Sequence, residues 1–303
     1  MLIGSYLPWA PAKGPTVWHP VRSSSYDARM TSRVSTLISA VVLALTWVGP
    51  ANAQSTPDYK PKVGQAGKDV VWVPSPPEMV ERMLDLAKVT TQDLVIDLGS
   101  GDGRNVIAAA KRGARGRGVE YNPDLVELSR RTAVSEGVGD RAAFVQGDMY
   151  EADISDATVL ALFLLPENLR KLTPKFLDLK PGTRIVANTF AISEWEAVET
   201  VRLDGDCRSW CEAMLYIVPA KVAGAWTLPD GRLTIEQEFQ KLSGTIASGD
   251  ETRPIENASI RGSDIAFSIG PRTYGGRVAG DTIEGTVTED GRQQTFSARR
   301  ASR

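Results

Sequence analysis

Apolar positions change rhythm along the chain. Residues 54–71 show no period and are rich in Pro, Gly and charge, the texture of a linker or N-terminal arm. From Ser75 to Ala87, the residues Met79, Val80, Met83, Leu84 and Ala87 recur at helical spacing. Ser75 is placed to cap that helix, with Pro76 and Pro77 in its first turn and Glu78 completing a capping box. Short apolar runs then alternate with amphipathic stretches. Strands are expected at Asp93–Leu98, Arg117–Tyr121, Arg141–Gln146, Thr158–Leu165 and Thr183–Phe190. Helices are expected at Gly103–Arg112, from Pro123 to about Glu136 behind an Asn122 cap, and at Glu167–Leu177. Two further strands, Ala197–Leu203 and Glu212–Ala220, flank a turn holding Cys207 and Cys211. Thr158–Leu165 is apolar throughout, as befits a strand buried on both faces. Such alternation predicts an α/β fold, a parallel sheet with helices on both faces.

After Gly224 the helical period disappears. Short alternating runs follow at Arg232–Leu242, Ala258–Ile260, Asp264–Ile269, Arg277–Ala279, Thr282–Val287 and Gln293–Ala298. Turn residues separate them, including Ser243-Gly244, Tyr274-Gly275-Gly276 and Asp290-Gly291. This texture predicts a small antiparallel β-barrel or sandwich over 225–303, behind a first domain at 72–224. Every residue proposed below for the cofactor precedes 150, so the second domain is expected to be dispensable for cofactor binding.

The first 53 residues read as a leader rather than fold. Arg33 provides a positive n-region, Thr36–Val48 is apolar and uncharged, and Pro50-Ala51-Asn52-Ala53 offers small residues for cleavage before Gln54. That order is a signal peptide over about 30–53, implying an exported, periplasmic or secreted protein; a leader left uncleaved or unused would mean the cytoplasm. Met30 is then the natural start, with 1–29 an upstream extension. Composition narrows the chemistry further. His19 is the only histidine, and Cys207 and Cys211 are the only cysteines. A Ser-His-Asp triad, a histidine metal site and a four-cysteine zinc site all lack their atoms, so no metal is expected. In an exported chain the two cysteines are expected to form a disulfide. A net charge of −2 and the absence of a basic block give no nucleic-acid footprint.

The informative stretch is Val95-Ile96-Asp97-Leu98-Gly99-Ser100-Gly101-Asp102-Gly103-Arg104. A buried strand runs into glycines and then a helix, where backbone can approach a ligand closely. A dinucleotide fingerprint would need glycine where Arg104 stands. Glu120, ending the second strand, is suited to grip two ribose hydroxyls. Asp148, after the third, is suited to accept from an adenine amine, with Met149 and Tyr150 flanking it. Each has a plainer reading: a solvated strand end, an ordinary Gly-Asp turn, a core residue.

In this order the residues resemble the seven-strand class I S-adenosylmethionine (SAM)-dependent methyltransferases, over about 72–220. Asp97, Gly99, Gly101 and Gly103 match the first motif, Glu120 and Asp148 the later acids. Val73-Pro74-Ser75-Pro76-Pro77 and the Asp97–Arg104 string look like the small protein-lysine methyltransferases of the ATP-synthase-c-subunit and adenine-nucleotide-translocase type. The resemblance implies a Rossmann-like seven-strand sheet and SAM bound by Asp97, Gly99, Ser100, Gly101, Gly103, Glu120, Asp148 and Met149. It also implies a protein lysine as methyl acceptor.

Acceptor residues are expected after the fourth and fifth strands: Pro166, Glu167, Asn188, Phe190 and Trp195, with Ser75 nearby. Asn188 is suited to orient the amine through its carbonyl, and Phe190 and Trp195 to wall the slot, although core packing accounts for both rings slightly better. Two rival readings stand beside this one: a small-molecule methyltransferase, and an exported SAM- or nucleoside-binding module without turnover.

Overall fold

The computed structural model describes residues 59–205, 207 and 209–301. The leader reading falls on residues 1–53 and lies outside them. Four helices, α1 (Pro77–Leu86), α2 (Arg104–Lys111), α3 (Pro123–Ser135) and α4 (Pro166–Phe176), are interleaved with strands. The strands of the first sheet are β1 (Leu94–Leu98), β2 (Arg115–Glu120), β3 (Ala142–Gln146), β4 (Val159–Leu162), β5 (Arg184–Asn188), β6 (Glu199–Arg202) and β7 (Glu212–Ile217). They form one sheet in the order β3-β2-β1-β4-β5-β7-β6, parallel except for β7, which runs antiparallel to both neighbours. This is a Rossmann-like sheet, and its strand order reverses between β1 and β4. In β4, Val159, Leu160, Ala161 and Leu162 are all buried, which is why that stretch carries no polar position.

Helices α1, α2 and α3 cover one face. Met79, Val80, Met83 and Leu84 of α1 meet Val95, Val159, Ala161, Val186 and Leu215, while α2 and α3 share Val106, Ile107, Val126 and Phe144. The opposite face presents Ile96, Leu98, Leu160, Leu162, Ile185 and Tyr216. There α4 contributes Leu169, Leu172 and Phe176. No helix lies between β5 and β6 among the described residues, so apolar surface around Tyr216 needs another cover.

The second sheet supplies it. Its strands are β8 (Gly224–Leu228), β9 (Gly231–Glu238), β10 (Lys241–Ser248), β11 (Glu251–Pro254), β12 (Glu256–Arg261), β13 (Asp264–Ile269), β14 (Arg272–Ala279), β15 (Thr282–Glu289) and β16 (Arg292–Arg300). Each antiparallel pairing leads to the next, and β16 returns to β8 beside β9, which closes a barrel. Strands β11 and β12 follow one another along β10, with Ile255 between them. Closure leaves the main barrel strands with neighbours on both sides, removing the open edges a flat sheet would expose. Alternate residues fill the interior: Trp226, Leu233, Ile235, Ile265, Phe267, Tyr274, Ile283 and Phe296.

Three barrel boundaries differ from the sequence reading. Arg232–Leu242 is not one strand, because Phe239-Gln240 turns the chain between β9 and β10. Ser243-Gly244 is not a turn but the middle of β10. A Cβ on Gly244 would stand 2.0 Å from the Thr234 carbonyl oxygen, so the glycine admits a neighbouring backbone. Tyr274-Gly275-Gly276 likewise lies inside β14, where a Cβ on Gly276 would press on the Phe296 ring at 3.2 Å.

The barrel docks through Phe239. Its ring stacks on Trp195 with centroids 5.3 Å apart, and Trp195 leans on Tyr216 at 5.5 Å. Beside this, Ala220 donates its N–H to the Gly262 carbonyl at 2.7 Å. Gly262 packs against the Gly182 backbone so closely that a Cβ there would sit 3.2 Å from it. Gln240 Nε2 donates to the Glu196 carbonyl at 2.9 Å. The barrel thus covers a flank of the sheet that no described helix covers, and the two share a core. Phe239→Ala should destabilise the whole chain by about 2 kcal/mol, a melting-temperature drop of roughly 4–8 °C. A chain ending at Val222 should show no cooperative thermal transition. Calorimetric scans of both check this, and an unchanged cooperative transition in the shortened chain would show the barrel to be independent.

Candidate functional site

Open parallel sheets bind ligands outside the carboxyl ends of their strands, where strand order reverses. Here those ends are Leu98, Glu120, Leu162 and Asn188. Past Leu98 the chain turns through Gly99, Gly101 and Gly103, with φ of 72°, 55° and 81°, values that side-chain-bearing residues seldom adopt. The turn delivers Gly103 to the head of α2. Beside it opens a cleft lined by residues 65–75, the glycine turn, Glu120, Asp148 and Phe163.

Asp97 lies at the floor of this cleft, 3% exposed. Burial pushes its carboxyl well above the usual carboxylate range, Glu120 and Asp102 add to the rise, and a hydrogen bond from Asn105 Nδ2 at 3.0 Å opposes it. Its one hydrogen-bonding side chain is a neutral amide, and among the described residues no cation pairs with it. Two buried atoms alongside, Ser100 Oγ and Asn105 Oδ1, have no hydrogen-bond partner among the described residues. Glu120 is aimed from the end of β2 by two backbone donors, Gly101 N–H and Asn122 N–H, both at 2.9 Å. Asn122 in turn caps α3, accepting from Asp124 N–H at 2.9 Å. Asp148 accepts from Tyr150 N–H at 2.9 Å and pairs with Lys68, whose ammonium holds the Asp148 carboxyl below its ordinary range.

The arm at 65–73 forms the outer wall. It folds as a small hairpin bridged at Ala66 and Val71, and brings Gln65, Lys68, Trp72 and Val73 to the cleft. A Cβ on Gly101 would lie 2.7 Å from Trp72 Nε1, so the arm is pressed onto the glycine turn. Lys68 Nζ also stands 5.0 Å from the Tyr121 ring centre. The arm, whose texture suits a linker, is therefore part of the site. Nothing in its composition signals this beyond the Trp72-Val73-Pro74 lead-in to α1.

Asp97, Gly99, Ser100, Gly101, Glu120, Asp148, Met149 and Ser75 all line the cleft. Other expected residues lie elsewhere. Gly103 packs inside, where its Cβ would meet the Phe144 ring at 2.6 Å; it is a packing glycine. Ser75 does not cap α1, since Pro76 holds the cap position; its hydroxyl accepts from Asn188 Nδ2 at 3.1 Å. Asn188 is 0% exposed, and its carbonyl oxygen accepts from Thr189 Oγ1 at 2.8 Å, so it props Ser75 and Thr189 and cannot reach a substrate amine. Trp195 is 3% exposed under Phe239, a core residue. Tyr150 turns its hydroxyl to Asn168. Pro166 opens α4, and Glu167 pairs with Arg170 on the outer surface. Phe190 stays near the cleft, grouped with Phe163 and with Trp210, which the sequence reading did not place there. Cys207 and Cys211 are joined in a disulfide, their Cα atoms 5.9 Å apart.

These donors and acceptors fit one kind of guest. The uncompensated Asp97 beside the glycine turn suits an amino-acid ammonium. Glu120 suits a ribose diol, and Asp148 with Tyr121 and Met149 suits an adenine. Residues 97–199 match the family model described as the ANTKMT methyltransferase domain. A protein-lysine N-methyltransferase of Saccharolobus islandicus is 42% identical over 138 residues, which span 45% of this chain and 86% of that protein. The chain belongs to this methyltransferase family. The Mus musculus lysine N-methyltransferase of the ATP synthase c-subunit is 32% identical over 60% of this chain and 71% of its own length. A solved RNA methyltransferase from Salinibacter ruber, in complex with S-adenosyl-L-homocysteine, shows 45% identity and covers 50% of this chain and 96% of its own, with a TM-score of 0.47. The methyltransferase uses SAM as methyl donor.

Two substitutions test the assigned cleft. A raised carboxyl costs stability as pH climbs from the ordinary carboxylate range through the raised value, and that stability is fully present only below the ordinary range. Asp97→Asn should therefore raise the melting temperature of the cofactor-free methyltransferase at neutral pH. The same change should weaken SAM binding roughly tenfold or more by removing a charge-assisted bond. A lower melting temperature with unchanged affinity would reverse the assignment. Glu120→Ala should weaken SAM binding by about 1.5–3 kcal/mol per ribose bond lost, read by titration calorimetry.

Proposed function

We propose that this methyltransferase transfers the methyl group of SAM to the Nζ of a lysine in a protein acceptor. The observation that supports this most is the cleft itself, with Asp97, Glu120 and Asp148 gathered beside the glycine turn in a chain of the lysine-methyltransferase family. SAM, when bound, supplies an electrophilic methyl on a sulfonium that departs as a neutral thioether. The protein's own work is then positioning, worth about 7–11 kcal/mol when a nucleophile is held in line. Asp97 and the glycine turn would hold the amino-acid end of the donor, and Glu120 its ribose. Trp72 and the arm shield the turn from water. The acceptor approaches from the open ends of β4 and β5, past Phe163.

A lysine amine ordinarily carries a proton to about pH 10.4 and has no lone pair to give until that proton leaves. Its loss to water, followed by N–C bond formation as the S–C bond breaks, balances the reaction. The rate with a lysine acceptor should therefore climb with pH, with kcat/KM rising about tenfold per unit between pH 7 and 9. A flat profile would mean that deprotonation does not limit attack. Incubation with labelled SAM and an envelope-protein extract, followed by acid hydrolysis, should yield labelled N-methyllysine. Label found only in small metabolites would overturn the protein acceptor.

The same reading includes export. The order of residues 30–53 and the Cys207–Cys211 disulfide support an oxidising compartment outside the cytosol. Native protein should begin at Gln54, and recovery of an intact 30–53 segment from the cytosol, by mass spectrometry, would refute it.

A further inference from the structure

Beyond the cofactor cleft, at the same end of the sheet, three aromatic rings meet. Phe163 follows β4 and lines the cleft. Phe190 stands two residues past β5. Trp210 precedes β7, and because β7 runs antiparallel to β5, pairing of Asn188 with Ala213 and the Thr189 N–H to Glu212 bond bring it to the same end. Ring centroids lie 6.2 Å apart for Phe163 and Phe190, 5.3 Å for Phe163 and Trp210, and 5.9 Å for Phe190 and Trp210. All three rings are half-buried, unlike Trp195, which the barrel seals. Leu165, 43% exposed, extends the apolar surface past β4.

Strain supports a purpose for this group. Thr189 and Trp210 both hold left-handed backbone, with φ of 65° and 62°. A β-branched residue there is a genuine outlier, and such outliers gather where geometry serves function. The Thr189 hydroxyl is tied back to Asn188, and the Trp210 turn is tied by the Cys207–Cys211 disulfide. Both feet of the cluster are thus held in place by specific bonds.

We propose that Phe163, Phe190 and Trp210 receive the acceptor lysine, and that Trp210, fixed by the disulfide-closed turn, determines specificity for a cationic amine. The proposal rests on the lysine-acceptor reading above. The rings offer negative π-faces to a methylammonium, which is less strongly hydrated than a bare ammonium and gains most from them. They also strip water from the lysine stem beside the cleft. Half-buried rings contiguous with the cleft can do this; fully packed core rings cannot.

The test uses the full-length protein, poly-L-lysine as acceptor, and two inhibitors: Nα-acetyl-trimethyllysine amide and its neutral analogue with carbon in place of the ammonium nitrogen. Trp210→Ala should raise KM for poly-L-lysine about tenfold, the size of one cation–π contact, with SAM affinity by calorimetry unchanged. Trp210→Phe should restore most of the loss. The cationic inhibitor should outcompete its neutral analogue in the wild type and lose that advantage in Trp210→Ala. Replacing both cysteines by serine should raise KM in the same direction with SAM affinity kept. Equal inhibition by the two analogues in the wild type, an unaltered KM in Trp210→Ala, or a parallel loss of SAM affinity would each overturn the proposal. Wild type that labels no lysine, in poly-L-lysine or in the extract, removes the acceptor reading and this proposal together. Wild type that labels lysine while Trp210→Ala matches it removes this proposal alone.

Discussion

A carboxyl group buried without a cation governs the architecture of this site. Asp97 sits at the end of a central strand, beneath the glycine turn, where its one hydrogen-bonding side chain is a neutral amide. Ionised carboxylates are costly in such places unless something balances them. The surroundings are arranged around that imbalance. Glu120 is aimed by backbone N–H groups, Ser100 and Asn105 keep unused hydrogen-bonding atoms, and the arm with Trp72 closes over the turn. A carboxyl held in this way gives up stability locally as pH rises. Lys68 does the converse at Asp148, where it supplies the countercharge from the protein itself.

The second constraint is the uncovered flank of the sheet. A parallel sheet needs apolar cover on both faces, and α4 covers only part of the face around Ile96, Leu160 and Tyr216. Trp195 and Phe239 complete it, which ties a closed barrel to an α/β layer through a single aromatic stack and a few backbone contacts. The barrel's own core, Trp226 to Phe296, is otherwise separate.

Much of this was legible because the periods were clean. Asp264–Ile269 alternates strictly and forms β13 over the same residues. The uninterrupted apolar run at β4, the Asn122 cap and the glycine turn each announce themselves within a few residues. What failed to show was decided at long range. Ser75 has every local mark of a helix cap, yet its hydroxyl is claimed by Asn188 from the far end of another strand. Trp195 and Trp210 both border the ends of β5 and β7, and no local pattern says which one the barrel will bury. Glycines 244 and 276 look like turn residues, but both lie mid-strand in the barrel, where another backbone or a ring comes close. Lys68 stands in a stretch with no period, and its pairing with Asp148 follows from how the arm folds back.

The replacement of a helix by the barrel also sets an order in time. A helix between β5 and β6 would be available as soon as it left the ribosome. Here the cover lies on Phe239, and the barrel that holds it closes only when β16 pairs with β8, close to the end of the chain. At synthesis rates of about 5–20 residues per second, the stretch from Gly224 to Arg300 adds roughly 4–15 s. Until the barrel forms, Phe239 is not held over Trp195 and Tyr216, so their apolar surface waits on a later segment of the chain for its cover.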